Sequence, residues 1–547
     1  MTTDTRADEL AAEQAYFDAA LEFRERLRHS LVAAPEAAAH PRNAAFVKDA
    51  ATRASQGLGR PDEAVAFGRI DDEDGEYLYV GVNAIWNDER DLVVMNWQVP
   101  DAGRYYTATA QDPQGALRVR QYFCESNTIV SFDDRVFADL AARITDLEAP
   151  KVAFEDALLG ELDRARTGEM SEIVKTIQAA QYDIIREPLE QLLVVQGGPG
   201  TGKTAVALHR VSWLLFNNRG SLTTSDVLVV GPSRAFVRYI RTVLPTLGDE
   251  DVQQCEIGAL APAVTSGRVE SDELALLKGE FRMAALIERG LRDRIGVPED
   301  QITVLAGQTA VPIDHALLGE QVRRLLDRPY AIGRGMLRDW LRDQVTQMSR
   351  GIHPRADSLD AAVDRVWPQL TAPAFVQDLL GSESRLLRAG GDDFSAAEVS
   401  LLYRRASARI SEERWSDSDL PLLDCAEQAM TGDVERGFKH IVVDEAQDLS
   451  PMQLLSIRRR SVDGSMTILG DIAQSTGAWA RDDWDDVVEA LSMGLPVTER
   501  VLAYGYRVPR QIFELAQLLL PSAAPGVTPP YGHSRRHSRP IPRTCRR

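Results

Sequence analysis

Leu192-Leu193-Val194-Val195-Gln196-Gly197-Gly198-Pro199-Gly200-Thr201-Gly202-Lys203-Thr204 decides how the rest of this 547-residue chain is read. Leu192 to Val195 is a short apolar, partly β-branched run, the pattern of a strand buried on both faces. Gly197 to Thr204 fits G-x-x-x-x-G-K-[ST], and Ala205 to Leu214 continues as a helical run. A strand, a glycine loop and a helix in that order predict a phosphate cradle. Gly197, Gly198, Pro199, Gly200, Thr201 and Gly202 would turn backbone N–H groups inward at a helix N-terminus that already favours anions. Lys203 would reach the β- and γ-phosphates, and Thr204 would ligate Mg²⁺.

A second signal lies far along the chain, at Ile441-Val442-Val443-Asp444-Glu445-Ala446-Gln447-Asp448. A buried strand ending in two carboxylates suits hydrolysis of a Mg²⁺–nucleoside triphosphate. Asp444 would hold the metal, and Glu445 would orient and deprotonate the attacking water. A D-E pair after an apolar strand says little alone. Joined to the glycine loop, it predicts binding and hydrolysis of a nucleoside triphosphate. Between and around these motifs, Val227 to Val230 and Thr467 to Leu469 add strands that alternate with helical patterns, the texture of a parallel α/β sheet.

Composition narrows the class. The chain is 44% hydrophobic and 26% charged, and its 82 acidic residues against 62 basic ones give −20. That excess argues against a protein that coats nucleic acid over its whole surface, while leaving room for a local basic groove. Four isolated Cys (124, 255, 425, 545) form no C-x-x-C pair, so no zinc knuckle or disulfide framework is readable. No basic and apolar leader opens the chain, and no apolar run approaches membrane-spanning length. The reading is a cytoplasmic protein with no membrane partner.

Ala7 to Val32 lacks Gly and Pro and places Tyr16, Ala20, Phe23, Leu27 and Leu31 on one helical stripe. Ala45, Phe46, Ala50 and Ala54 suggest a second helix after the Pro35–Pro41 break, giving an antiparallel hairpin. It either packs on its own body or projects as an arm. From about Ala64 to Ser131, Val65 to Ile70, Tyr77 to Val80, Leu92 to Met95 and Tyr105 to Thr107 read as a small antiparallel β module, with Asp71-Asp72-Glu73-Asp74 as a solvated hairpin tip. Between Cys255 and about Asp360 the strand rhythm stops, and segments such as Leu274 to Leu291 and Leu317 to Leu326 predict a helical insertion.

The two nucleotide motifs and their neighbours resemble a superfamily 1 helicase-type motor of the UvrD/Rep kind. Asp444-Glu445-Ala446-Gln447-Asp448 is similar to its D-E-x-Q-D form, and Gly470-Asp471-Ile472-Ala473-Gln474-Ser475 to its G-D-x-x-Q-S form, whose Gln474 would sense the γ-phosphate. Ile177-Gln178-Ala179-Ala180-Gln181 is similar to the segment whose Gln reads adenine, so Gln181 takes that role. Gly505-Tyr506-Arg507 resembles N-Y-R, with Tyr506 stacking on adenine and Arg507 reaching the γ-phosphate; Gly505 stands where Asn is usual. More narrowly, residues 196–210, 227–247, 96–109 and 415–426 resemble the HelD class of RNA polymerase-associated ATPases, and the opening resembles its actinobacterial HelR branch, linked to rifamycin tolerance.

The resemblance implies an α/β fold: a RecA-like parallel-sheet P-loop NTPase domain with an N-terminal helical hairpin, a small β module and a helical insertion. It divides the chain into a coiled-coil arm (1–60), a β module (61–145), a first RecA-like domain in two parts (170–254 and 361–500) around the insertion (255–360), and the start of a second RecA-like domain (501–530). It implies ATP and Mg²⁺ as ligands and the RNA polymerase core as partner, with DNA or RNA in the polymerase channel as a further contact. The arm and insertion would enter the polymerase channels and release or recycle the enzyme, with rifamycin displacement as an added role. A superfamily 1 DNA helicase in repair and a hydrolysis-deficient polymerase-binding factor are the alternatives. The second domain's late Arg and K-G-L-E-F motifs are not found after Arg507, which predicts a C-terminal truncation, with ATP bound but turned over slowly. Residues 531–547 carry six Arg and no acid, leaving −26 on the preceding residues. They read as a disordered basic tail, either a nucleic-acid contact or an out-of-frame end.

Overall fold

The computed structural model describes residues 3–33, 51, 55, 58–137, 179–244, 249, 251–432, 437–475, 478–502, 504–505 and 531–532. It opens on a helix, Thr3–Ala33, laid against a six-stranded sheet. The strands are β1 (Gly68–Asp72), β2 (Tyr77–Gly81), β3 (Ile85–Trp86), β4 (Leu92–Asn96), β5 (Ala116–Glu125) and β6 (Thr128–Val136), in the spatial order β3-β4-β2-β1-β5-β6. All neighbours are antiparallel except β2 and β4, which run parallel.

The helix buries part of the stripe that its apolar spacing predicts: Ala20 is fully buried and Tyr16 and Phe23 pack half-buried on the sheet's core, whereas Leu27 is 44% exposed. The most deeply buried residues of the helix are Glu13, Phe17, Ala20 and Arg24. Glu13 accepts hydrogen bonds from Tyr79 Oη (2.9 Å), Tyr122 Oη (2.6 Å), Arg120 Nη1 (2.9 Å) and Arg69. Further along, Arg24 donates to the carbonyls of Glu63 (2.9 Å) and Pro61 (3.0 Å). A buried carboxylate with this many donors is the fastening of the helix, so its described length packs on its own body; Ala45, Phe46, Ala50 and Ala54 lie outside the described residues. Glu13→Ala strands two buried guanidinium groups that keep only their other carboxylates, and should cost ~3 kcal/mol in chemical denaturation.

Two local expectations differ. Asp71 is buried between Arg69 and Arg118, and Asp72 pairs with Arg104 (2.8 Å), so only Glu73 and Asp74 form the solvated tip. Tyr105–Thr107 is part of a helical turn, Arg104–Thr107, because Pro100–Gly103 has already set a helical path and both tyrosines turn into the core.

The second sheet is fully parallel and holds the glycine loop. Its strands are β7 (Leu192–Gly197), β8 (Val227–Gly231), β9 (Gln253–Glu256), β12 (His440–Val443), β13 (Met466–Gly470) and β14 (Val497–Leu502), in the order β14-β7-β13-β12-β8-β9. Alternate residues feed two cores. Leu193, Val195, Val229, Val442 and Leu469 face one side, while Leu192, Val194, Val230, Val443 and Ile468 face the other. The first of these cores also contains Phe67, Ile70, Trp97, Tyr105 and Tyr106, so the N-terminal sheet is part of the same packed body.

Between β9 and β12 runs a helical body. It contains the hairpin β10 (Thr303–Ala306) and β11 (Thr309–Pro312) and continues past Asp360 to the helix Leu420–Thr431. Residues from Leu277 to Met430 share one core, because Trp367, Phe375, Leu379 and Leu423 close on Met283, Leu286 and Leu337. The insertion therefore extends about seventy residues beyond its predicted end, and the sheet resumes only at His440. Among the described residues, no helix is long and apolar enough to cross a membrane.

Candidate nucleotide site

The carboxyl ends of β7, β12 and β13 lie side by side because the parallel register sets Val443 against Ile468 and Gly470 against Gln196. That edge is where open α/β sheets take ligands. The glycine loop crosses it. Gly200 and Gly202 adopt φ of 74° and 85°, conformations costly for any side chain-bearing residue. A Cβ on Gly197 would meet Thr201 Oγ1 at 2.6 Å and Lys203 Cγ at 3.1 Å. The loop is tied internally: Thr201 Oγ1 donates to Gly198 O (2.9 Å), and Lys203 Nζ, nearly buried, donates to Gly197 O (2.6 Å). Gln181, at the start of the helix Ala179–Ile185, donates its amide to Thr201 O (3.1 Å).

From β12, Asp444 accepts the Thr204 hydroxyl at 2.6 Å. Burial pushes the Asp444 carboxyl up to about 6; Glu445 adds to the rise, and the Thr204 hydrogen bond and Lys203 oppose it. Glu445 has φ 54° and ψ 41°, unusual for a residue other than glycine. Its backbone N–H donates to Asp444 Oδ1 (2.9 Å), and its carboxylate accepts from Gln447 Nε2 (2.9 Å). A hydroxyl and a carboxylate sharing one position, beside a buried ammonium and a glycine cradle, fit a Mg²⁺–nucleotide: Thr204 and Asp444 could hold the metal, Lys203 and the loop N–H groups the phosphates.

The third strand supplies Gln474, whose amide donates to Asp471 Oδ2 at 2.5 Å. Asp471 is the hub of a set of contacts that spacing alone does not single out. Gln196 Nε2 donates to it (2.8 Å), its own N–H donates to Gln447 Oε1 (3.2 Å), and Trp484 Nε1 donates to Gln196 Oε1 (3.1 Å). Gly470 leaves room for this, since a Cβ there would collide with Gln447 Oε1 and the Trp484 ring. Gln447 and Asp471 sit inside the two motifs, which is the signal that could have picked them out; Gln196 and Trp484 carry none. Thus Lys203, Thr204, Asp444, Glu445, Gln474 and Gln181 occupy one strand-end region, whereas Tyr506 and Arg507 lie outside the described residues.

The helix after the loop, Lys203–Asn217, is almost wholly buried on two sides. Arg210 reaches across to hold the carbonyls of Ile185 (3.2 Å), Glu187 and Pro188 (2.7 Å), completing the C-terminal end of the Gln181 helix. His209 packs edge-on to Trp97, and its Nδ1 lies 2.7 Å from Ala205 O. Burial lowers the imidazole pKa to about 4, partly offset by that carbonyl. The unfolded chain therefore takes up a proton below the ordinary value of 6.5 that the folded chain refuses until about 4, so stability falls as pH drops through this window. Between pH 7 and 5, His209 should account for about 2 kcal/mol of lost stability. Urea denaturation at the two pH values measures it, with a flatter dependence for His209→Gln.

Residues 181–479 match the family model of the AAA domain. Residues 10–149 match that of the N-terminal domain of DNA helicase IV HelD. No curated protein matches the chain.

Proposed function

The chain belongs to the AAA-domain family and is a superfamily 1 motor of the HelD type, and from that premise we propose that it binds and hydrolyses Mg²⁺–ATP and uses the cycle to release or recycle RNA polymerase from stalled or inactive complexes. The observation that carries the nucleotide half is the 2.6 Å hydrogen bond between Thr204 and Asp444, which joins the glycine loop to the acidic strand end. The HelD-type N-terminal region supports the polymerase half.

In this reading Lys203 exchanges the Gly197 carbonyl for phosphate oxygens, and Gln181 reads the adenine edge. Bound Mg²⁺ would supply charge neutralisation at the β- and γ-phosphates, held through Thr204 and Asp444. Glu445, fixed by Gln447, orients water and accepts its proton at a carboxylate oxygen. Gln474, steadied by Asp471, responds to the γ-phosphate. Tyr506 and Arg507 complete the adenine and γ-phosphate contacts, and residues 3–33 and the helical insertion meet the polymerase in the cytoplasm. Rifamycin displacement belongs to the insertion; deleting it should abolish drug protection of transcription.

Mixing the chain with RNA polymerase core and with stalled transcription complexes tests the proposal. A stable complex by gel filtration, with nucleic acid released and release altered by Lys203→Ala, is the expected result. Strand separation of duplex DNA with no polymerase complex would instead mark a repair helicase. A complex indifferent to ATP and to Lys203→Ala would mark a pure binding factor.

A further inference from the structure

Gln181 stands on the helix Ala179–Ile185, which is held by what packs on it from two sides. On one side that is the glycine loop, through the Gln181 amide and Thr201 O. On the other it is the N-terminal module, through its helical turn Arg104–Thr107. Tyr182, fully buried, stacks on Tyr106 with ring centroids 4.5 Å apart and planes 23° apart. Tyr106 in turn lies edge-on to Tyr105 at 5.0 Å and tilted against Phe67 at 6.4 Å. Gly103 brings the turn close: a Cβ there would approach Tyr182 Oη to 3.0 Å. The Tyr182 hydroxyl is buried with no hydrogen-bond partner among the described residues, and the ring face makes the contact. The same module also grips the helix after the loop, Gln98 Nε2 donating to Ser212 Oγ at 2.8 Å.

We propose that Tyr106, on the N-terminal module, is a positioning residue for base recognition: its stack on Tyr182 sets the register of the helix that presents Gln181 to the nucleotide's base. The proposal rests on the adenine reading of Gln181 above. It makes the N-terminal module part of the nucleotide site, backing the base end while the glycine loop holds the phosphate end.

Competition against a fluorescent ATP analogue on the full chain, by ATP, GTP and inorganic pyrophosphate, tests it. Tyr106→Ala and Tyr106→Leu should lower the preference for ATP over GTP about tenfold, toward the value of Gln181→Ala, while pyrophosphate competes unchanged. Tyr106→Phe, which keeps the ring, should retain the preference, and Tyr182→Phe should as well. An unchanged preference in folded Tyr106→Ala overturns the proposal, as does an equal loss for ATP, GTP and pyrophosphate, which marks a merely structural role. If both truncations fail to fold, hydrogen exchange on the unaltered chain decides. ATP, but not pyrophosphate, should slow exchange in residues 103–108 as well as 179–185; slowing confined to 179–185 overturns it. A normal preference in Gln181→Ala would instead remove the adenine reading and this proposal with it, and absence of any ATP binding would remove the nucleotide function.

Discussion

Lys203→Ala should weaken ATP binding by about two to three orders of magnitude while leaving the fold intact. Lys203 offers an ammonium, nearly buried and held at the mouth of the loop by one backbone carbonyl. Two or three charge-assisted hydrogen bonds to phosphate oxygens, each worth about 1.5–3 kcal/mol, account for the size of the loss after desolvation. Among the described residues the variant gives up only the bond to Gly197 O, so its thermal midpoint should move little. Titration calorimetry with ATP and circular dichroism read the two effects separately. ATP affinity within threefold of the parent chain would remove Lys203 from the site.

Glu445→Gln should bind ATP normally and hydrolyse it about 10²- to 10⁴-fold more slowly, the range a positioned general base contributes. The geometry makes this substitution a clean one. Gln447 Nε2 donates to Glu445 Oε2, and a glutamine carbonyl can accept the same bond. The Glu445 N–H bond to Asp444 comes from the backbone and survives. What disappears is the carboxylate that takes the proton. Single-turnover hydrolysis with labelled ATP measures the rate. Loss of binding together with hydrolysis would show that the side chain supports the loop and is not a base. On the polymerase-release function proposed above, the same variant should hold the ATP-bound stage of the cycle and slow release.

Legibility followed burial. Strands β7, β8, β12 and β13 were visible as apolar runs because each is covered on both faces and bonded on both edges. Strand β9, Gln253-Gln254-Cys255-Glu256, and strand β14, with Glu499 and Arg500 exposed, are the outermost strands, and their polar residues hide them from a hydropathy pattern. The face of the first helix was only partly legible for a related reason. Glu13 and Arg24 are buried by hydrogen bonding beside Phe17 and Ala20, so part of the interior face reads as polar. Asp71 vanished into the sheet in the same way, paired with Arg69 and Arg118. Apolar periodicity locates helices well, but it does not say where one packed body ends. The helical insertion continues to Thr431 because Trp367, Phe375 and Leu423 close on side chains contributed before Asp360.

The chemistry of the candidate site was local and so lay open in the chain. Glycines at fixed offsets before Lys203 and Thr204, and two acids at the end of an apolar strand, mark candidate phosphate and metal ligands by type and spacing. Which of them meet was settled only by the sheet. Parallel pairing of β7 with β13 and β13 with β12 brings Thr204 to Asp444 and Gln196 to Asp471 across hundreds of residues. The N-terminal module behind the helix of Gln181 is likewise a tertiary fact. The aromatic faces packed against the helix Ala179–Ile185 come from a distant part of the chain, which no local pattern reveals.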